Sequence, residues 1–561
     1  MSHKFYFWYM KYVVSYKDSD RHFIDFKLIV DAKGLSKINL QLPSWRPGRY
    51  ELGNFAKNIK DFNVVDSDNK KVRFSKKTKD LWEVECQNTD QFIVSYRYYA
   101  SELNAGSTYL DQNQLYINPV NCMFYNSQDL DLEYEIEFEL PLDYKIHTSL
   151  EKLENNTLKA SNFDQLADSP IIASKSAQQR SLTIDNINFS FCFQGEVKVN
   201  WEKMLKDFTS FIKYQINIFG SFPHKSFLFL FQITPYGSYH GVEHHHSTVI
   251  LLGPSYDVFE KLYKELLGVS SHELYHVWNV KGIRPSDMLP YDFSKENFTH
   301  MGYVTEGVTT YMGDRILLES GVFSTDQYFN ELEKLFQRHF HSDGRNHYSV
   351  SESSWDTWLD GYVQGIPGRK VSIYVEGALI AMICDAKIRK STGHEKSLHD
   401  VMKALYSGSN ELTSYDMNSY KNALETVSGE SFTSIFDKII YGKEDFRSFL
   451  EEALKVFGWN FSVLKSENKS WQVGLKTYFK NGHLKVLNVL EGSAAYNSLV
   501  VKEDEILAVN NFRIDNNLDH WLNYFENDQI VLKVCRNGKI LDINMNSSND
   551  NQYFKYKFFE E

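Results

Sequence analysis

Polar and apolar residues alternate with a period of two along the first part of the chain. The runs INLQLP (38–43), WEVEC (82–86) and YEIEFELP (134–141) each place every second side chain on one face, as half-buried antiparallel strands do. Helical periodicity is nearly absent here, and Asp, Asn and Gly residues separate the runs. The pattern therefore predicts an N-terminal β-sandwich-like domain over residues 1–170.

The pattern changes beyond this domain. A helix is predicted over Trp201–Phe219, followed by an aromatic strand over Ser226–Ile233. The long amphipathic stretches TDQYFNELEKLFQRHF (325–340) and VEGALIAMICDAKIRKS (375–391) have the three-to-four-residue spacing of helices that bury one face. We therefore predict a mainly helical domain over residues 171–460.

Strand patterns return in residues 461–561, a length that suits one small β domain. A chain of 561 residues is also too long for a single core, since such cores stop growing at roughly 250–300 residues. The predicted fold class is thus multidomain α+β, with three domains in the order β-sandwich-like, mainly helical and small β.

Composition excludes several classes of partner. The formal net charge of −12 and the pI near 5.9 argue against binding to nucleic acid or to an anionic membrane, because both require clustered Lys and Arg. No run approaches the ~18–20 apolar residues that cross a bilayer. The opening residues 1–20 have no adequate apolar segment or cleavage site, and the five cysteines are scattered. We expect a cytoplasmic protein, or a periplasmic or secreted one if a leader was removed.

One pentapeptide predicts a metal site. His272, Glu273 and His276 form the pattern H-E-x-x-H in a segment that is compatible with a helix. Residues four positions apart share a helical face, so both imidazoles can reach one ion while Glu273 lies beside it as a general base. A catalytic zinc requires three protein ligands and an open position. The alternative is an ordinary helix with two solvated histidines.

Glu306 supplies a third ligand in this interpretation. It lies in YVTEGVTTYMGD (303–314), where a second helix is predicted to begin, and a downstream helical glutamate completes the His2Glu class of zinc site. Taken alone, Glu306 could equally be an acid favoured by the helix dipole in a first turn. Together the two motifs predict one Zn²⁺ per chain and hydrolysis of peptide bonds. A tyrosine hydroxyl could stabilise the oxyanion, but spacing does not choose among the 35 tyrosines.

Six segments, in order along nearly the whole chain, resemble the glycyl aminopeptidase family of zinc peptidases, which is similar to the thermolysin-like gluzincins. The segments are PSWRPGRYELGNFAKNI (43–59), HGVEHHHS (240–247), HELYHVWNVKGIRP (272–285), YVTEGVTTYMGD (303–314), SIYVEGALIAMICDAKIR (372–389) and the PDZ-like tail.

The resemblance implies roles that the residues alone do not. A thermolysin-like catalytic domain is expected to bind peptides with a free N-terminus along the strand that carries Gly241, Glu243 and His244, with Glu243 pairing with the α-amine. Tyr374 is expected to stabilise the oxyanion. The resemblance further implies a preference for N-terminal Gly or Ala, and a tail that binds peptides as PDZ domains do.

Two other functions stay open at this point. The first is an endopeptidase that uses its tail to hold protein substrates, and the second is a silent scaffold with a structural zinc. A second metal site at the triple histidine is not favoured, because in a strand His244 and His246 face one way and His245 the other. Contribution to the substrate cleft, or exposure to solvent, is the expected role of these histidines.

Overall fold

The structure is a computed structural model that describes residues 9–87, 89–363, 365–406, 412–545 and 551–561. The first eight residues, on which the expectation about a leader partly depends, lie outside the described residues. Within the described ranges, no helix has the length and apolar character needed to cross a membrane.

The N-terminal region consists mainly of strands. They are β1 (Tyr9–Ser15), β2 (Phe23–Asp31), β3 (Lys37–Gln41), β4 (Ile59–Asp66), β5 (Phe74–Lys76), β6 (Leu81–Glu85), β7 (Gln91–Tyr99), β8 (Tyr109–Leu110), β9 (Gln114–Ile117), β10 (Tyr125–Asn126), β11 (Glu133–Phe138), β12 (Lys145–Thr148), β13 (Glu151–Lys152), β14 (Thr157–Ala160) and β15 (Ile171–Ser174). The two short α-helices of this region are α1 (Pro119–Cys122) and α2 (Phe163–Ala167).

These strands form three sheets. The largest has the order β13-β14-β11-β1-β2-β7-β4, and two smaller ones have the orders β10-β3-β6-β5 and β12-β15-β9-β8. The first two sheets share one aromatic core, in which Phe62 of β4 stacks on Trp82 of β6 at 5.1 Å between ring centroids. The period-two pattern has its expected result, since Tyr134, Ile136 and Phe138 of β11 are all buried. The prediction of a β-rich N-terminal domain is confirmed.

The end of this region lies slightly beyond the expected position. Strand β15 begins at Ile171 and pairs with both β9 and β12, so the N-terminal sheets extend to Ser174. The apolar triplet at 171–173 is buried on both faces, and a continuous apolar run of this kind carries no alternation from which a strand could be predicted.

The middle region is mainly helical, as predicted. Its strands are β16 (Gln178–Ile184), β17 (Ile187–Gln194), β18 (Ser226–Ile233), β19 (Ser238–Glu243), β20 (Ser247–Gly253), β21 (Ile283–Pro285) and β22 (Thr413–Tyr415). Its α-helices are α3 (Trp201–Phe219), α4 (Tyr263–Tyr275), α5 (Thr309–Glu319), α6 (Thr325–Phe340), α7 (Val350–Trp355), α8 (Thr357–Asp360), α9 (Ile373–Ser391), α10 (Leu398–Leu405), α11 (Met417–Ser428), α12 (Thr433–Ile435) and α13 (Arg447–Val456).

Shorter helical turns connect these elements. The 3-10 turns of the chain are Ser19–Arg21, Phe55–Asn58, Ser255–Asp257, Ser286–Met288 and Asp343–Asn346, and the π-helical segments are Tyr303–Val308 and Phe436–Ile440.

Local signals account for the positions of these helices. The predicted helices at 201–219 and 325–340 coincide with α3 and α6, and the aromatic strand coincides with β18. At the start of α6, the Ser324 hydroxyl accepts from the backbone of Gln327, whose side chain accepts from the Ser324 N–H. Gly220, with a φ of 81°, ends α3 in the left-handed conformation that glycine adopts without strain.

A five-stranded sheet of the middle region carries the edge strand that matters for the site. Its order is β16-β17-β18-β20-β19, in which β17, β18 and β20 run parallel and β19 pairs antiparallel with β20 at the edge. Helices α3, α4 and α5 pack over one core with this sheet. The free side of β19 therefore faces the cavity next to α4.

The C-terminal region returns to strands. They are β23 (Trp459–Lys465), β24 (Leu475–Lys480), β25 (His483–Val489), β26 (Glu505–Val509), β27 (Phe512–Arg513), β28 (Val531–Arg536), β29 (Lys539–Asn544) and β30 (Phe554–Glu560), with helices α14 (Lys469–Gln472), α15 (Ala494–Asn497) and α16 (Leu518–Tyr524). The sheet β24-β25-β26-β28-β29 has its own core, whereas β23 and β30 pair with each other and pack on α6.

Candidate metal and active site

Two imidazoles and one carboxylate converge between α4 and the π-helical segment that precedes α5. Nε2 of His272 lies 3.1 Å from Nε2 of His276, and these two atoms lie 3.6 and 3.5 Å from Oε2 of Glu306. All three residues come from the two predicted motifs. His272 lies on α4 and His276 at its C-cap, and folding brings Glu306 of the π-helical segment against them.

These distances fit a zinc ion. Bonds of about 2.0–2.2 Å in tetrahedral geometry hold neighbouring ligand atoms roughly 3.3–3.6 Å apart, which is close to the observed spacing. The charges are also suitable. Burial alone would raise the pKa of the Glu306 carboxyl, but the imidazoles of His272 and His276 lower it to about 2. A buried carboxylate that stays ionised at this position can bind a cation.

Neighbouring groups orient the three ligands. Nδ1 of His276 lies 2.6 Å from the carbonyl oxygen of Asn279, and this contact directs Nε2 of the same ring toward His272 and Glu306. The hydroxyl of Tyr50 donates to Oε1 of Glu306 at 3.1 Å, and Oε2 is left facing the two imidazoles. Tyr50 belongs to a loop of the N-terminal region, so the proposed metal site is completed across the boundary between two regions of the chain.

Glu273 lies beside the trio in a buried position. It is 6% exposed, and its Oε2 atom has no hydrogen-bond partner in the part of the chain that the structure describes. Burial raises the pKa of the Glu273 carboxyl, and the charges of Glu243 and Glu306 act in the same direction against that of His276. A carboxylate with a raised pKa and a free oxygen can take up a proton from a water molecule.

Gly241 of β19 explains how Glu273 is held. A Cβ atom at position 241 would meet the Glu273 carboxylate and would lie 2.9 Å from Cγ2 of Val269. Only glycine leaves space for the acid at this point of the edge strand. The backbone of β19 therefore contacts the Glu273 carboxylate directly and limits where this side chain of α4 can lie.

Glu243 is the last residue of β19 and points into the same cavity. It is 5% exposed, and one of its carboxylate oxygens lies within 4.8 Å of ligand atoms of Glu273 and His276. Gly48, in the same loop as Tyr50, packs on this carboxylate and has a φ of 79°, so a side chain there would be both obstructed and strained. The loop thus covers the Glu243 side of the cavity.

Tyr374 lies in the first turn of α9 and lines the same cavity, which has a volume of about 550 Å³. Its approach to the trio depends on two glycines, because Gly307 beside Glu306 packs against Gly377 on α9 without space for a Cβ on either. Burial raises the pKa of the Tyr374 hydroxyl, and the charge of Glu306 raises it further, so the hydroxyl keeps its proton and can donate a hydrogen bond.

His244, which the resemblance assigned to the substrate strand, lies outside this cavity lining. Its Nδ1 is 3.0 Å from Oδ1 of Asp168, and the Asp168 carboxylate also forms an ion pair with buried Lys281. Gly241, Glu243 and Tyr374 thus line the same cavity as the metal motif. His244 does not, and its contact with Asp168 holds the residues that follow β19.

The expectation that strand alternation separates His245 from His246 is wrong. Strand β19 ends at Glu243, and residues 244–246 form the turn to β20, so the period-two rule does not apply to them. The rings of His245 and His246 lie on the same side, with their centroids 4.7 Å apart.

Sequence reasoning missed the groups that come from other regions. Tyr50, Gly48 and Asp168 touch the site or its edge strand, but each is far from the metal motif in sequence. The only local signal is the Pro47-Gly48 pair, which indicates a turn and does not reveal what the turn approaches.

Comparisons with known proteins agree with this geometry. Residues 11–175 match the model of the Peptidase M61 N-terminal domain, and residues 265–380 match that of the M61 glycyl aminopeptidase. A search of curated proteins gave no match.

One solved structure shares this architecture over almost its full length. An aminopeptidase N family protein from Idiomarina loihiensis has a TM-score of 0.91 at 24% identity, and the match covers 98% of each chain. An M1 zinc metallopeptidase from Deinococcus radiodurans matches 75% of this chain and 90% of its own, at 13% identity and a TM-score of 0.44. The first likeness shows a shared fold over almost the full length. Because the two family models follow one another along this chain and include the trio, Glu273 and Tyr374, the protein belongs to the M61 glycyl aminopeptidase family and is a metallopeptidase.

Proposed function

We propose that the protein is a zinc-dependent aminopeptidase that hydrolyses the first peptide bond of substrates with a free N-terminus. The observation that carries this proposal is the buried Glu243 carboxylate, within 4.8 Å of the ligand atoms of Glu273 and His276. A carboxylate at this distance pairs with an α-ammonium group and fixes one residue between that group and the scissile carbonyl.

His272, His276 and Glu306 would hold the zinc, which when bound polarises the scissile carbonyl and lowers the pKa of a water molecule toward ~7. Glu273 removes the proton from the attacking water with its unpartnered oxygen and delivers it to the leaving amine. The Tyr374 hydroxyl donates to the oxygen on which negative charge develops.

We further propose a preference for small N-terminal residues such as Gly or Ala. The support is the close cover over Glu243, where Gly48 packs so closely on the carboxylate that a side chain at position 48 would collide with it. The same cover disfavours the endopeptidase alternative, because a longer chain on the amine side would have to displace this loop.

We further propose three domains close to the predicted ranges 1–170, 171–460 and 461–561, with the first extended to Ser174 at the end of β15, and a PDZ-like nature for the tail. The separate core of the C-terminal sheet and its two packed helices, α15 and α16, support an independent domain. A sheet edge in such a domain could bind an extended peptide by adding a strand.

A panel of peptide amides tests the aminopeptidase proposal. Each N-terminal residue, from Gly and Ala to Leu and Arg, is offered with a free and with an acetylated amine. We expect cleavage of the free Gly and Ala forms and at least about thirtyfold lower kcat/KM for the acetylated forms, as the loss of one buried charge pair predicts at roughly 2–5 kcal/mol. Equal cleavage of free and acetylated forms would contradict an amine-binding Glu243.

A further inference from the structure

Three histidine side chains form a second cluster outside the active cavity. His224 lies in the connection that leads into β18, whereas His245 and His246 lie in the turn between β19 and β20. The ring centroid of His224 is 3.9 Å from that of His246 and 4.6 Å from that of His245, and the two turn histidines are 4.7 Å apart. One nitrogen of each ring lies within 4.8 Å of the other two.

One ring nitrogen of the cluster has no hydrogen-bond partner among the described residues. This atom is Nε2 of His224, which is buried. Buried polar atoms are nearly always paired, and one that is not calls for a ligand. Burial lowers the pKa of His224 to about 2, and burial together with His246 lowers the pKa of His245 to about 4. The rings are therefore neutral at pH 7, and neutral imidazole is the form that binds metals.

We propose that His224, His245 and His246 bind a second divalent transition-metal ion, for which zinc is the expected occupant. Zinc accepts three imidazoles with a solvent molecule in the fourth position, and all three side chains here are partly exposed, which leaves that position open. The donor set also decides the class of ion, because Ca²⁺ and Mg²⁺ require oxygen ligands and this cluster offers nitrogen.

The nearby carboxylate does not compete for this role. Asp168 is engaged by the ammonium of Lys281, by Nδ1 of His244 and by the backbone N–H of His245. Asp168 therefore fixes the turn through His244 and the backbone of His245, and it forms no hydrogen bond with the three rings among the described residues. An ion bound to them would connect the entry of β18 to the turn that follows Glu243, and so would stabilise the edge of the sheet.

Metal counting tests the proposal directly, without any measurement of activity. The full chain is purified with an affinity tag that contains no histidine, equilibrated by dialysis against a small excess of free zinc, and analysed for zinc and protein. We expect two zinc ions per wild-type chain and one in His224→Asn and in His246→Asn. The matched control His394→Asn, which removes an exposed histidine outside both sites, should keep two.

The variant Glu306→Ala separates the two sites. It should lose the ion of the active cavity and keep the ion of the cluster, so failure of the catalytic assignment and failure of this proposal give different counts. Thermal unfolding supplies a second readout, since zinc beyond the first equivalent should raise the Tm of the wild type and leave that of both cluster variants unchanged.

Two outcomes would overturn the proposal. The first is a single zinc per wild-type chain at saturation that is lost in Glu306→Ala, because that ion then belongs to the active cavity and the cluster binds none. The second is an unchanged count of two in both His224→Asn and His246→Asn.

Discussion

Two regions that differ in construction enclose the active cavity. The floor consists of α4 with the π-helical segment and α5, and it carries the trio and Glu273. The wall consists of β19 and the loop 43–59, and it carries Glu243, Gly241, Gly48 and Tyr50. On the floor, His272, Glu273 and His276 follow from helical spacing, whereas groups on the wall meet only after distant segments have folded together.

The proposed catalytic groups and the groups proposed to select substrates lie in different regions. The floor carries the groups that we propose as three zinc ligands and a base, which any zinc hydrolase needs. In our account, the wall decides which peptides reach that chemistry, because Glu243 recognises the amine and Gly48 limits the space around it. Substitutions in the floor should therefore lower kcat for every substrate, and substitutions in the wall should change the ranking of substrates.

The largest effect is expected from Glu273→Gln on the floor. Glutamine keeps the shape but cannot accept the proton, so kcat should fall by about 10²–10⁴-fold for every substrate in the panel. Zinc content, measured on the same preparation, should stay at the wild-type value. The exposed Glu260→Gln is the matched control, and full activity of Glu273→Gln would remove the proposed base.

Tyr374→Phe should have the next largest effect. Removing one donor to a developing oxyanion costs about 10²–10³-fold in kcat, with KM little changed. Tyr256, a largely exposed tyrosine, gives the control Tyr256→Phe. If Tyr374→Phe raised KM and left kcat unchanged, the hydroxyl would contribute to substrate binding and not to the transition state.

Glu243→Gln tests the wall. Loss of the carboxylate should lower kcat/KM for free-amine substrates by about 10²-fold, while the slow cleavage of acetylated substrates stays the same or improves. The ratio of free to acetylated rates in one preparation is its own control. An equal loss for both substrate forms would show that Glu243 contributes to catalysis in general and does not recognise the free amine.

Tyr50→Phe should have the smallest effect, since it breaks the hydrogen bond that the Tyr50 hydroxyl donates to Oε1 of Glu306. Loss of a group that orients a ligand weakens metal binding by roughly 10-fold or somewhat more. Competition with a chelator of known affinity measures this change. An unchanged zinc affinity would mean that the Tyr50 hydrogen bond does not contribute to metal binding.

The sequence predicted the floor better than the wall for physical reasons. His272, Glu273 and His276 obey a local rule, since one helical turn brings positions four apart onto the same face. Glu306 could be proposed from the usual downstream glutamate of such zinc sites, whereas Glu243 and Tyr374 became identifiable only through a resemblance, because no spacing rule connects separate elements. For Tyr50 and Gly48, the Pro47-Gly48 pair indicates a turn but does not reveal its contacts, since contacts across the boundary between two regions depend on the packing of both.

The elements themselves followed the hydrophobic pattern where that pattern was regular. Helices α3 and α6 and strand β18 coincide with the predicted ranges. The pattern failed where burial is complete or where a turn replaces a strand. The apolar triplet of β15 carries no alternation, and the turn at 244–246 brings His245 and His246 to one side against the period-two rule.

The central claim is that His272, His276 and Glu306 share one zinc ion. Crystals of the His224→Asn variant, equilibrated with zinc and measured on both sides of the zinc absorption edge, test it most directly through an anomalous difference map. We predict one strong peak at about 2.0–2.2 Å from Nε2 of both histidines and from Oε2 of Glu306. A map without a peak at this position, or with a peak that Glu306 does not contact, would contradict the account.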